Sequence, residues 1–187
     1  MPPKVKITKQ EILQTALELV RKEGQEAVNA RSIAAMLHCS TQPIFSNFET
    51  MEALQKAVIA EAYNCYFSFL QREAERGEYP RYKAFGMAYI SFATEEKELF
   101  RLLMMRNTGG TKVDWTADGE ESIKMIMEGN GITRAAAELM HLEIWACVHG
   151  IATMQATSFL SLDRELISRM LSDIYQGLRA KYAAKEG

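Results

Sequence analysis

From Thr8 onward, apolar side chains recur three and four residues apart. Ile12, Leu13, Ala16, Leu17 and Val20 make the first such stripe, which is the signature of an amphipathic helix. Thr8-Lys9-Gln10-Glu11 precedes it. A hydroxyl followed three residues later by a carboxylate can cap a helix start reciprocally, and Gly24 is placed to end the helix in the left-handed conformation. A second, short helix is predicted from about Asn29 or Ala30 to Leu37, with Ile33, Met36 and Leu37 inward. Thr50 can cap a long helix running to about Arg76, where Gly77 and Pro80 stop it. Further helices are predicted at roughly 81–94, 96–106, 118–128, 132–158 and 163–184. The joints Asn107-Thr108-Gly109-Gly110, Gly129-Asn130-Gly131 and Ser161-Leu162-Asp163 carry turn residues. No stretch alternates as a strand would.

The segment Cys39-Ser40-Thr41-Gln42-Pro43-Ile44-Phe45-Ser46-Asn47-Phe48 interrupts this pattern. Ser40 or Thr41 can serve as an N-cap, which puts Pro43 in a first turn, where its missing N–H costs nothing. Ile44 and Phe48, four apart, then share an inward face, and Thr41, Gln42, Ser46 and Asn47 point elsewhere. A two-turn helix showing small hydrogen-bonding side chains suits a DNA major groove, where an amide can pair with a base edge. Upstream, Ala34 is small where two helices would cross, and Leu37 and Ile44 are apolar. His38 takes the turn position, where φ is positive and His is among the few tolerated residues other than glycine. The same spacing also fits a three-helix module with no role on DNA.

Over residues 8–60 the chain resembles the tetracycline-repressor (TetR) family of bacterial transcription regulators. The resemblance lies in TKQEILQTALELVRKEG and VNARSIAAMLHCSTQPIFSNFETMEALQKAV: helix, glycine, short helix, turn, recognition helix closing on aromatic-x-x-Phe, long linking helix. It implies DNA contacts from Arg31, Thr41, Gln42, Pro43, Phe45, Ser46 and Asn47. The basic arm bearing Lys4 and Lys6, with Lys9, is either a further phosphate contact or a solvated terminus. Two positions depart from the family. Phe45 stands where Tyr is usual and Met51 where Lys is common, so two phosphate contacts are missing. Later in the chain, Trp145-Ala146-Cys147-Val148-His149-Gly150 resembles the Trp…His-Gly signature of one class of C-terminal domains in this family.

The expected fold is therefore all-α: a helix-turn-helix module in residues 1–50, joined by a long helix to a larger bundle for ligand binding and dimerisation in residues 51–187. Apolar residues occupy nearly every face between Ala57 and Leu70, which predicts a surrounded segment. Tyr63, Phe67, Tyr89, Phe92, Met104, Met125, His141, Trp145 and His149 are either core or the wall of an adaptable apolar pocket. Rings and thioethers suit the pocket, and the resemblance favours it. Glu138, His141, Trp145 and His149 share one helical face. Glu138 and His141 have the spacing of a di-iron half-site, but no second copy exists, so no metal is expected. Gly150 inside a helix costs about 1 kcal/mol against Ala. With Ala146 and Thr153 beside it, close approach by another helix is the expected reason. Ile167, Met170, Leu171, Ile174 and Leu178 stripe the last helix, and the resemblance implies a homodimer through these two helices.

Composition narrows the classes further. A net charge of −2 gives no general attraction to nucleic acid, so any DNA binding must be local. Three scattered cysteines (Cys39, Cys65, Cys147) suit a reducing cytoplasm and not a disulfide framework. No apolar run follows the basic start, so neither a signal peptide nor a membrane span is expected. Gly109-Gly110-Thr111-Lys112 lacks P-loop spacing, and Gly129-Asn130-Gly131 lacks the third glycine of a dinucleotide site. The expectation is a cytoplasmic repressor, not an enzyme, with no cofactor. Its partners would be operator DNA, a small apolar ligand and a second copy of itself. The alternative is a helical binding protein or enzyme that keeps the module without specific DNA binding.

Overall fold

A computed structural model describes residues 7–106 and 115–183, with the backbone alone for 115–118. Lys4 and Lys6, the 107–110 joint and the Gly109–Lys112 stretch lie outside the described residues. All regular structure within them is helical: α1 (Lys9–Glu23), α2 (Ala30–Met36), α3 (Gln42–Asn47), α4 (Met51–Glu75), α5 (Arg81–Glu95), α6 (Lys97–Met104), α7 (Trp115–Asn130), α8 (Arg134–Ala156) and α9 (Arg164–Ala183). None of these helices is long and apolar enough to cross a membrane.

The chain packs as two compact units. The first takes the described residues up to Ser68 together with Glu96–Arg106, so it holds α1, α2, α3, the first part of α4, and α6. Local chemistry sets its ends. Thr8 Oγ1 accepts from the Glu11 N–H at 3.2 Å, and the Glu11 carboxylate takes the Thr8 N–H at 2.7 Å, the reciprocal cap. Gly24 ends α1 at φ 83°, ψ 175°, which is not the left-handed helical conformation but the extended mirror region open only to glycine. The chain must turn there at once into a 3₁₀ turn at Gln25–Ala27. Asn29 accepts from the Arg31 and Ser32 N–H groups, both at 3.0 Å, and starts α2. Ile12, Ala16 and Val20 on α1 and Leu99 and Phe100 on α6 have no exposed surface. Each of these side chains except the small Ala16 contributes about 1.5–3 kcal/mol by leaving water. Between α1, α4 and α6, Val20, Val28, Val58, Ile59 and Leu102 leave only about 10 Å³, at the lower limit for one water.

The second unit takes Phe69–Glu95 and the described residues beyond 106: the end of α4, then α5, α7, α8 and α9. Helix α5 runs against α8, α9 and α7. Gly86 permits the close approach, since a Cβ there would come within 3.3 Å of Leu171 Cδ1 and 3.4 Å of Val148 Cγ2. Phe92 is fully buried and meets Phe69 edge-on at 5.5 Å. At the start of α9, Arg164 binds Glu78 at 2.8 Å and Ser91 Oγ at 3.1 Å, with the buried Glu73 at 3.8 Å. These bonds tie α9 to the end of α4 and to α5.

The surrounded segment expected between Ala57 and Leu70 is corrected. Phe67 is 60% exposed, and Tyr63 and Tyr66 flank it at 6.2 and 5.3 Å between ring centroids. Phe67 lies on an exposed stripe with Ala60, Asn64 and Ser68, a face of α4 that nothing among the described residues covers.

Candidate functional site

The helix-turn-helix is built from α2 and α3. After α2, the Cys39 N–H returns to the Ala34 carbonyl at 2.9 Å, and His38 holds φ at +51°, the left-handed turn its position predicted. Ile33, Ala34, Ile44 and Phe48 are buried, and Lys9 Nζ lies 5.0 Å from the centre of the Phe48 ring. Thr41 occupies the cap of α3 but makes no side-chain cap bond. It sits in helical geometry, and Pro43 in the first turn removes one amide that a cap would have served.

The seven DNA candidates of this module separate into three groups. Arg31, Gln42 and Phe45 are exposed. Thr41 and Pro43 are half-buried at the helix start. Ser46 and Asn47 are engaged within the module: Ser46 Oγ donates to the Gln42 carbonyl at 2.9 Å. Asn47 Nδ2 donates to the Pro43 carbonyl at 2.8 Å and to the Ile7 carbonyl at 3.4 Å. Met51 and Arg31 line one open cleft of about 440 Å³ with Asn29 and Ala30. The position where the family commonly carries Lys therefore stands beside the arginine that opens α2.

The nine pocket candidates divide between the units. Tyr63, Phe67 and Met104 belong to the first, and Tyr89, Phe92, Met125, His141, Trp145 and His149 to the second. Within the second, α5 and α8 carry two matched pairs. Tyr82 Oη lies 3.0 Å from His141 Nδ1, and Tyr89 Oη lies 2.8 Å from His149 Nδ1. Trp145 stacks on the His149 ring at 5.0 Å and is 41% exposed on its other side. Burial, with Tyr175 nearby, pushes the Tyr82 hydroxyl far above its usual range, so it keeps its proton while hydrogen-bonded to His141 Nδ1. Gly119 makes room for that imidazole, because a Cβ there would fall 2.6 Å from His141 Nε2. Glu138 is held by Arg134 at 2.8 Å and not by His141. Among the described residues, no group of three His, Cys, Asp or Glu is placed to hold a metal ion.

Tyr82 was not among the sequence candidates. Its signal was present: Tyr82 and Tyr89 are seven apart and His141 and His149 eight apart, both two helical turns. Nothing in the sequence says that the two helices meet.

The ladder makes stability depend on pH. Burial holds both imidazoles below the usual histidine value. As pH falls below about 6.5, the unfolded chain takes up protons that the folded chain refuses. This contribution is fully present above that pH and is lost as pH falls through the lower folded values. Urea midpoints are expected to drop between about pH 7.5 and 5.5. Replacing both His141 and His149 by Gln is expected to flatten that slope, and an unchanged slope would show that other groups set it.

Of the dimer-interface candidates, Ile167 and Leu171 are buried within the protomer, and Met170, Ile174 and Leu178 are half-buried. Ala146 is exposed, and a Cβ on Gly150 would meet nothing within 4 Å. The Thr153 hydroxyl is sealed from solvent and finds no hydrogen-bond partner among the described residues.

Residues 82–174 match the family model of the tetracyclin repressor-like C-terminal domain. No curated protein matches the chain. Among solved structures, a protein of unknown function from Rhodococcus sp. RHA1 is similar at TM-score 0.73 and 21% identity, covering 96% of this chain and 100% of that one. A TetR-like transcriptional regulator from Rhodococcus sp. RHA1 is similar at TM-score 0.62 and 14% identity, covering 94% of this chain and 96% of its own. At these identities the structural likeness speaks for the fold.

Proposed function

The chain belongs to the TetR family of transcriptional regulators, and on that premise we propose that it is a homodimeric repressor. Residues 1–50 bind operator DNA, and residues 51–187 form the dimer and take up a small, largely apolar molecule that releases the operator. One observation carries the DNA-binding part. Helix α3 turns Ile44 and Phe48 inward and leaves Gln42 and Phe45 outward, with exposed Arg31 at the start of α2. Among the described residues no hydrogen bond holds the Gln42 amide, and such a group in a major groove makes paired bonds to adenine.

Dimerisation is supported by the uncovered face of α8. Trp145, Ala146 and Cys147 are exposed there, with Gly150 open beside them. A two-fold dimer would present two recognition helices to a palindromic site. Release by ligand follows from linkage: a molecule that favours a non-binding spacing of those helices is itself bound more weakly on operator DNA, by the same factor.

A second reading keeps the fold without specific DNA binding. It is favoured by Phe45 and Met51, which supply neither a hydroxyl nor an ammonium to a phosphate. The two readings separate on one experiment. The purified protein is titrated with the DNA flanking its own gene at two salt concentrations, beside a scrambled duplex. Tight, salt-sensitive binding to the native duplex alone supports the repressor; equal, weak binding to both supports the second reading. Met51→Lys is expected to steepen the salt dependence by about one unit of slope, because the new ammonium stands beside Arg31. An unchanged slope would remove this face from the phosphate backbone.

A further inference from the structure

The recognition helix has fewer free side chains than its sequence offers. Of its six residues, Ile44 is buried, and Asn47 spends its amide protons on the Pro43 and Ile7 carbonyls. Ser46 spends its proton on the Gln42 carbonyl and is left an acceptor only. Pro43 is half-buried and has no donor. What remains outward is one amide, Gln42, one ring, Phe45, which is 49% exposed, and the Ser46 oxygen as an acceptor.

A half-exposed phenylalanine between polar neighbours gains nothing from water, and without a hydroxyl it cannot bond a phosphate. In a major groove the apolar group within reach is the 5-methyl of thymine, which apolar side chains recognise by contact. Gln42 and Phe45 are three apart, on one face of the helix and about 4.5 Å along its axis. That is close to the step between neighbouring base pairs, about 3.4 Å. The amide suits adenine N6 and N7, and the ring suits the thymine of the same or the next pair.

We propose that Phe45 is a specificity-determining residue whose ring packs on the 5-methyl group of a thymine beside an adenine bonded by Gln42, so that each half-site is read at an A·T step. This rests on the DNA-binding reading above.

The test uses the full chain and a pool of randomised duplexes. Recovered sites are resynthesised with deoxyuridine at each thymine in turn, which removes the methyl and leaves base pairing intact. At one thymine per half-site, uracil is expected to weaken binding about fourfold, the transfer value of one buried methyl group. In Phe45→Ala, the thymine and uracil duplexes are expected to bind alike. Phe45→Leu, which keeps an apolar contact and the helix, is expected to retain part of the preference, and it guards against an alanine variant that fails to fold. A recovered site at which every uracil is tolerated, or a penalty undiminished in both variants, overturns the proposal and leaves the regulator reading standing. A pool that yields no common sequence overturns both.

Discussion

Phe100→Ala is expected to destabilise the unit that carries the recognition helix by about 3–5 kcal/mol and to weaken operator binding as the folded fraction falls. Residue 100 lies more than fifty positions beyond the helix-turn-helix, but α6 packs on α1 within the same compact unit. Phe100 has no exposed surface, and neither does Leu99 beside it. Truncation leaves a cavity of most of a ring among neighbours that are themselves fully buried, and a close-packed interior relaxes only partly into such a space. A domain's whole stability is about 5–15 kcal/mol, which makes this loss a large share. Urea unfolding followed by circular dichroism, with a DNA titration on the same samples, measures both effects. If Phe100→Ala were as stable as the parent, α6 would not support the module at all. If binding held in urea after the unit had unfolded, the recognition helix would owe nothing to α6.

Gly150→Arg is expected to convert the proposed dimer to monomer while leaving the protomer folded. Among the described residues of the protomer a Cβ at 150 meets nothing within 4 Å, and Arg is a better helix former than Gly by about 0.8 kcal/mol. The protomer should therefore keep its helix content or gain slightly. Across a two-fold interface each substitution occurs twice, and bulk with like charge at close approach costs several kcal/mol. Light scattering behind size exclusion at micromolar concentration reads the outcome. Loss of the dimer should also lower operator affinity, because one recognition helix then binds alone. A variant that stays dimeric would move the interface away from this face of α8, and Trp145 would need another reason for its 41% exposure.

Much of the local structure was legible in advance because its causes lie within a few residues of each other. The reciprocal cap at Thr8 and Glu11, the start of α2 at Ala30, Pro43 in the first turn of α3 and the Thr50 hydroxyl accepting from Ala53 all occur where the sequence put them. The positive φ of His38 was read from its place between two helices, since few other side chains tolerate that conformation. Helix ends fell within a few residues of expectation; α7 begins at Trp115, three residues earlier than predicted.

The recognition face was legible only in part. The sequence offered Gln42, Ser46 and Asn47 as equivalent polar readers, but the carbonyls that take the Ser46 and Asn47 protons are visible only once α3 is folded and Ile7 is beside it. The body was less legible still. Pattern showed that α4 carried apolar residues on every side, and could not say that Phe67 would be left outward.

By itself, then, the sequence determined the helices, their caps, the turn between α2 and α3 and the inward faces of each, because propensity, capping and periodicity act over one or two turns. The tertiary structure decided what those faces meet: that α6 joins α1, that Gly86 lets α5 close on α8 and α9, and that Tyr82 and Tyr89 find His141 and His149 about sixty residues away. Those pairings depend on which surfaces exclude water together, a property of the assembled chain that no window of a few residues contains.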